Sequence, residues 1–208
     1  KDSTFRLRRD GGDFLVKVSP PDEPLPVVLC QTDVIDWVER TNPSIPIQSV
    51  LRTRGGANHV PLAALEGEGA WLGTLRVLEF IPGTILGEPN PAPAQLGQVG
   101  AMLGRVDLAL QGFTHAGLDR PLVWDIGRFM ILEPLLEYET NPERRAMAEQ
   151  VFDLYRERLE PVRAELRAQV IHNDLNPHNV LVAPDDHSHI VGIIDFGDMV
   201  HAPLINNL

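Results

Sequence analysis

The feature that most constrains the fold of this chain is the order of apolar and polar residues between positions 170 and 198. Three short apolar runs are predicted as strands, over residues 169–172, 179–182 and 189–195. A polar loop separates the first run from the second, and a turn over residues 184–188 joins the second to the third. This order predicts a strand, a polar loop and a hairpin.

These segments carry a constellation of side chains suited to phosphoryl transfer. A His-x-Asp motif ends at Asp174, Asn179 follows five residues later, and Asp-Phe-Gly begins at Asp195, a further sixteen residues on. Phosphoryl transfer needs a carboxylate to orient the attacking hydroxyl, and oxygen ligands to hold Mg²⁺ on the phosphates. The three side chains offer hard oxygen ligands, which suit Mg²⁺ better than zinc. The alternative, a polar hairpin whose Asp and Asn only cap turns, is disfavoured because both motifs occur together and in order.

The rest of the chain predicts strands first and helices afterwards. Apolar alternation on both sides of an Asp-Gly-Gly-Asp turn at 10–13 indicates a β-hairpin, because the glycines can adopt positive φ. Further elements are predicted as a helix over 29–40, strands over 45–52 and 71–81, a loop over 87–93, a helix over 94–110, and a helix starting at Asn141-Pro142 and running to about residue 159.

Three segments resemble the aminoglycoside phosphotransferase and choline kinase-like family, whose fold is that of protein kinases. Residues 14–18 resemble the strand that bears the phosphate-binding lysine, 78–83 the linker between lobes, and 172–179 the catalytic loop. A protein kinase usually has Arg at position 173 and often Lys at 176, whereas this chain has Asn at both. The resemblance is closest to the hydroxylysine kinase-like branch.

The resemblance implies an α+β, two-lobed, protein-kinase-like fold. An antiparallel-sheet N-lobe is expected over residues 1–80, and a mainly helical, partial C-lobe over 81–208. The expectation is also that the chain is part of a longer protein, because relatives continue with helices that build the substrate pocket. Relatives commonly have an Asp where this chain has Asn206.

The resemblance assigns Asp174 as the catalytic residue that accepts or orients the substrate hydroxyl. It assigns Asn179 and Asp195 as the Mg²⁺ ligands and His172 as a structural brace of the loop.

The same resemblance places a nucleotide, ATP or GTP, against the strand-rich part. Lys17 would contact the α- and β-phosphates, and backbone groups of Glu79 and Ile81 would meet the base. Relatives orient the lysine with a helix Glu; here the candidates are Gln31 and Asp33, with Gln31 in the better register. The alternative for Lys17 is a solvated lysine on an exposed strand face.

Composition narrows the partners. The net charge of −11 disfavours nucleic acid, and no apolar run reaches the 18 residues typical of a membrane span, so a cytoplasmic protein is expected. An acidic protein suits a cationic substrate, which Asp198, Asp125 and Glu133 could face. The simpler interpretation of Asp125 is a helix N-cap, and that of Glu133 is a residue on a solvated helix face.

The expected function is Mg-dependent transfer of the nucleotide γ-phosphate to the hydroxyl of a small amine-bearing molecule. Hydroxylysine-like substrates come first because the resemblance is closest there, and amino-alcohols and aminoglycosides follow. The competing hypothesis is a nucleotide-binding pseudokinase or regulatory module within a larger protein. The absent helix Glu and Asn206 favour this alternative, and the intact Asp174, Asn179 and Asp195 oppose it.

Overall fold

The computed structural model of the chain describes residues 2–62, 73–87 and 91–207. Within these ranges an antiparallel sheet precedes a part built of helices and short strands, as an α+β fold requires. The first two residues of the strand predicted over 71–81, and part of the loop predicted over 87–93, lie outside the described residues. None of the described helices is long and apolar enough to cross a lipid bilayer.

The N-terminal sheet begins with the predicted hairpin. Its turn contains Gly11 and Gly12 with φ of 95° and 146°, a region that a side chain would disfavour. The described strands of this sheet pair antiparallel in the order β1-β2-β4-β3. Their bounds are β1 Ser3–Leu7, β2 Phe14–Ser19, β3 Val60–Leu62 and β4 Gly73–Glu79.

The strand predicted over residues 45–52 is not formed. This segment makes only isolated bridges, one between Ile47 and Ile193 and one between Val50 and Leu78. Apolar alternation suggested a strand, but the segment reaches both the N-terminal sheet and the later hairpin and therefore does not continue either ladder. It links the two parts of the molecule.

The described helices agree with the prediction except at their ends. Helix α1 begins four residues before the predicted start, with a proline in its first turn. Asn141 caps α3, as predicted, by accepting hydrogen bonds from two backbone N–H groups, and a π-helical turn at Tyr155–Leu159 continues it. The bounds are α1 Leu25–Thr41, α2 Pro93–Ala109 and α3 Pro142–Leu154.

Short strands in the C-terminal part carry the polar loops. β5, β7 and β8 form one antiparallel sheet, and β6 pairs with β9, which the sequence did not predict. Their bounds are β5 Thr84–Ile85, β6 Ala168–Ile171, β7 Val180–Ala183, β8 Asp186–Ile193 and β9 Val200–Pro203.

One hydrophobic cluster joins the two parts of the chain. It contains Leu78 of β4, Val34 of α1, Val106 of α2 and Ile193 of β8, each at most 5% exposed. Cys30 belongs to the same cluster, and burial raises the pKa of its thiol to about 12, so it is a packed thiol as predicted. The shared core fixes the sheet against the loops that follow β6 and β8.

Candidate active site

His172 braces the loop that follows β6. Its side chain is fully buried, its Nε2 donates to the carbonyl of Ile194 at 3.2 Å, and its Nδ1 accepts from the backbone N–H of Asp174 at 3.3 Å. The ring also packs against Phe196, with centroids 4.8 Å apart. Burial lowers the pKa of His172, so the ring is neutral and ties the two polar loops together, the structural role expected for it.

A second support for this loop comes from the end of the described chain. Asn173 has a φ of 64°, and its backbone N–H donates to Oδ1 of Asn207 at 2.9 Å. Nδ2 of Asn207 donates in turn to Asp107 of α2 at 2.7 Å. The sequence had drawn attention to Asn206, but its neighbour Asn207 is the residue that accepts the hydrogen bond from the loop after β6.

Asp174 is held by side chains of its own loop. Its Oδ1 accepts a hydrogen bond from Asn176 at 2.7 Å, and its Oδ2 accepts one from Nδ2 of Asn179 at 2.8 Å. The same Nδ2 donates to the Asp174 backbone carbonyl at 2.8 Å. Because the amide nitrogen of Asn179 faces Asp174, its amide oxygen is turned away and can serve a cation.

Asp195 has a strained backbone directly after β8. With φ 62° and ψ 66° it occupies the left-handed region, and its Oδ1 accepts from the Gly197 backbone N–H at 3.3 Å. Asn173 and Asp195 are the non-glycine residues with positive φ in the described ranges. Such conformations cost about 1–3 kcal/mol and concentrate at functional sites. The strain therefore marks the same two loops that the motifs indicated.

A cavity of about 580 Å³ brings most of the predicted site residues together. Its lining includes Lys17 of β2 and Gln31 of α1 together with Asp174, Asp195 and Asp198 from the loops that follow β6 and β8. This is where residues separated by more than 150 positions in the sequence meet.

The prediction that Lys17 pairs with Gln31 or Asp33 is wrong. Nζ of Lys17 lies 4.0 Å from Oδ2 of Asp2, and Oε1 of Gln31 accepts instead from Arg76 at 2.8 Å. Asp33 accepts a hydrogen bond from Asn58, and neither residue lines the cavity. The reason is that Arg76 is paired with Lys17 on the neighbouring strand, and its buried guanidinium binds Gln31 instead.

Glu79, Ile81 and the predicted metal ligand Asn179 are not among the described residues that line this cavity, although Asn179 contacts the lining residue Asp174. Glu79 ends β4, its backbone N–H donates to Ser49 at 2.9 Å, and its carbonyl accepts from Gln48 at 2.9 Å. The segment at 45–52 thus already uses backbone groups that were expected to meet the base. Their role in base recognition stays a prediction.

The cavity also contains residues that sequence reasoning missed. Arg120 donates to the Gly197 carbonyl and lies 3.9 Å from Asp198. Trp124 is 61% exposed and lines the cavity. The signal in the sequence was Trp124 directly before the predicted cap Asp125, but it did not indicate that the Trp124 side chain faces a cavity.

The three acidic residues considered as contacts for a cationic substrate lie in different environments. Asp125 is 5% exposed and caps a 3₁₀ helix by accepting from the Gly127 N–H at 2.8 Å, which confirms the N-cap interpretation. Glu133 pairs with Arg156. Of the three candidates, Asp198 lines the cavity.

The residues present fit a divalent cation. Burial raises the pKa of Asp198 most, and the nearby charges of Asp174 and Asp195 raise it further, so this side of the cavity concentrates negative charge. In the described part of the chain, no three His, Cys, Asp or Glu side chains form a metal site on their own. Mg²⁺ suits such a sparse set, because it takes its other ligands from phosphates and water.

This fold and loop arrangement are those expected of a kinase-like fold. The model of the "Phosphotransferase enzyme family" (APH) matches residues 1–208, so the chain belongs to that family, and the resemblance stated above is confirmed.

Similar proteins agree with this assignment. Mouse (Mus musculus) hydroxylysine kinase is 31% identical over 165 residues, which cover 74% of this chain and 44% of the mouse protein. The chain spans about half the length of the curated relatives it matches. The structure of a microcompartment-associated aminopropanol kinase superposes with a TM-score of 0.71 at 18% identity, covering 97% of this chain and 62% of the other. Spectinomycin phosphotransferase with ADP and spectinomycin gives 0.59 at 14% identity, with 99% and 63% covered. These likenesses confirm the kinase-like fold.

Proposed function

We propose that the protein transfers the γ-phosphate of ATP or GTP to the hydroxyl of a small molecule that carries an ammonium group. The observation that carries the proposal is that Lys17, Asp174 and Asp195 line one and the same cavity. A cation for phosphates, a carboxylate for a hydroxyl and an oxygen ligand for a metal are the parts that phosphoryl transfer needs. Membership of the phosphotransferase family supports this reading.

Asp174 is proposed to receive the acceptor hydroxyl. The hydrogen bonds from Asn176 and Asn179 hold its carboxylate in one orientation before any substrate arrives. A fixed carboxylate can hydrogen-bond the hydroxyl, aim its oxygen at the phosphorus, and take its proton as the new bond forms. Catalysis here would come mainly from positioning.

Asn179 and Asp195 are proposed to hold Mg²⁺ on the nucleotide phosphates. When bound, Mg²⁺ would neutralise charge on those phosphates. Lys17, which lines the same cavity, would contact the same phosphates from the sheet. The negative charge of Asp174, Asp195 and Asp198 would otherwise repel a nucleotide, so binding is expected to require the metal.

The acceptor is proposed to be a hydroxylysine-like amino acid or another amino-alcohol. The mouse relative is named hydroxylysine kinase, and a structural neighbour is named aminopropanol kinase. Asp198 and Trp124 on the cavity wall supply a carboxylate and an indole face, groups that stabilise an ammonium ion. Aminoglycosides, which also carry amino and hydroxyl groups, are the second class to test.

The experiment is a coupled nucleotide-turnover assay with a panel of acceptors. ATP and GTP are each supplied with Mg²⁺ and with 5-hydroxylysine, 1-amino-2-propanol, kanamycin or no acceptor. Acceptor-dependent turnover that disappears in Asp174→Ala is the expected result, and Glu133→Gln serves as the control because Glu133 pairs outside the cavity. Nucleotide binding without turnover on any acceptor would instead support a regulatory module.

A further inference from the structure

Arg76 is a buried cation that contacts two residues of the cavity lining, Asp2 and Gln31. It lies on β4 directly across from Lys17 on β2, and it is 1% exposed. Its guanidinium donates to Oδ2 of Asp2 at 2.6 Å, Oγ of Ser19 at 2.9 Å, Oε1 of Gln31 at 2.8 Å and the carbonyl of Val28 at 3.3 Å. Its Nε–H has no hydrogen-bond partner among the described residues.

Stability alone does not account for this arginine. Burial is the main influence on the pKa of Arg76 and lowers it, and one of its N–H groups is left unsatisfied. Replacing buried ion pairs by well-packed apolar side chains is often neutral or stabilising. A charged residue kept in such a place therefore points to a role in the adjacent site.

The first consequence of Arg76 concerns Lys17. The same oxygen of Asp2 lies 2.6 Å from Arg76 but 4.0 Å from Nζ of Lys17. Arg76 therefore takes the strong, short hydrogen bond, and Asp2 remains beside Lys17 without binding it tightly. The lysine keeps its N–H donors for a ligand in the cavity.

The second consequence concerns Gln31. Because its Oε1 accepts from Arg76, its Nε2 is turned the other way, towards the loop after Asp195. A Cβ placed on Gly197 would lie 3.9 Å from this nitrogen. Arg76 thus fixes both an acidic neighbour of Lys17 and an amide that faces the proposed metal loop.

We propose that Arg76 is a positioning residue for nucleotide binding, which holds Asp2 as the carboxylate neighbour of Lys17 and orients Gln31 towards the metal loop. The inference rests on the proposed function. Asp2, which directly precedes β1, lies beside Lys17, where relatives have a Glu from the helix.

The test is a double-mutant cycle on the full chain, with binding of a Mg-bound non-hydrolysable ATP or GTP analogue measured by calorimetry. Arg76→Met and Asp2→Asn should each raise the nucleotide Kd about tenfold or more. The double variant should bind the nucleotide no more weakly than the weaker-binding single variant. The KM for the acceptor should stay unchanged in all three. Arg76→Lys, which keeps the charge, should recover part of the affinity. Arg52→Met is the matched control, since Arg52 also ties α1 through a guanidinium but lies outside the cavity lining.

A ligand-free measurement separates this inference from nucleotide binding itself. The chain contains two lysines, Lys1 and Lys17, so acylation of Lys17 by an N-hydroxysuccinimide ester can be followed by peptide mass spectrometry. In Arg76→Met the freed Asp2 should pair closely with Lys17 and slow acylation, whereas Asp2→Asn, alone or in the double variant, should accelerate it. Unchanged acylation rates, or additive losses of nucleotide affinity, would overturn the role of Arg76. Wild-type protein that binds no nucleotide would count against the proposed function, and the acylation rates would still decide the inference.

Discussion

Asp198 offers the sharpest test of how the acceptor is recognised. Its carboxylate lines the cavity, close enough to Asp174 for the charge of Asp174 to raise the pKa of Asp198. If the acceptor's ammonium group binds there, Asp198→Asn removes one favourable charge interaction while preserving the shape of the side chain. The loss should affect an amino-alcohol and spare a neutral alcohol of the same shape.

The expected size follows from the surroundings of Asp198. An ammonium about 4 Å from a carboxylate gains about 1 kcal/mol in bulk water and about 4 kcal/mol at an effective dielectric constant of ~20. The Asp198 side chain is 28% exposed, which places it between these limits, and Arg120 at 3.9 Å offsets part of its charge. We therefore expect a loss of about 1.5–2.5 kcal/mol, which corresponds to about 10- to 70-fold in kcat/KM.

The assay compares 5-hydroxylysine with an analogue in which a methyl group replaces the side-chain ammonium. The measured quantity is the ratio of the two kcat/KM values, because any effect of Asp198→Asn on the nucleotide or the metal cancels in that ratio. Glu133→Gln makes the same change of charge outside the cavity and should leave the ratio as in wild type. A ratio that Asp198→Asn leaves unchanged, at low and at high salt, would refute the ammonium site.

Four further substitutions test the rest of the site. Asp174→Ala should lower kcat by about 10²–10⁴ in the coupled assay while calorimetry shows the nucleotide Kd unchanged, because the carboxylate meets the hydroxyl and not the phosphates; turnover within tenfold of wild type would contradict this. Asp195→Asn should shift the Mg²⁺ titration of nucleotide binding to higher concentration, since one anionic ligand is lost; a coincident titration would exclude Asp195 as a ligand. Asn207→Ala breaks two hydrogen bonds and should cost about 2–3 kcal/mol in urea unfolding, together with a loss of kcat. The folded pKa of His172 is below the ordinary 6.5, so its contribution to stability is complete above that pH and is lost as the pH falls below it; His172→Gln should flatten this part of the unfolding free energy measured from pH 8 to 5.

Local chemistry was sufficient where the chain itself imposes the structure. Two glycines after Asp10 dictate the first turn, and Asn141 before a proline dictates a helix start, because both effects act within a few residues. The motif spacing also identified Asp174 and Asp195, which share the cavity in the structure. These predictions needed no knowledge of the distant parts of the fold.

Predictions failed where a distant residue decides the outcome. Gln31 was matched to Lys17 by its register on a helix, but Arg76, 45 residues further on, binds it instead. Asn207 reaches across 34 residues to Asn173, and the sequence offers no local sign that it and not its neighbour makes this contact. Such contacts depend on how the sheet and the loops pack, which neither periodicity nor motif spacing encodes.

The charge distribution shows why net charge is a poor guide to this site. The chain carries −11, yet the cavity lining combines Lys17 and Arg120 with the carboxylates of Asp174, Asp195 and Asp198, and the Arg76 guanidinium contacts the lining residues Asp2 and Gln31. We therefore expect the triphosphate beside Lys17 and the ammonium group beside Asp198, with a metal offsetting the charge of Asp195 and the phosphates. Asp2 lies 4.0 Å from Lys17 and 2.6 Å from Arg76, and it would compete with the nucleotide for Lys17 if Arg76 did not hold it. Arg76 removes that conflict, which is why its loss should be felt by the nucleotide and not by the acceptor.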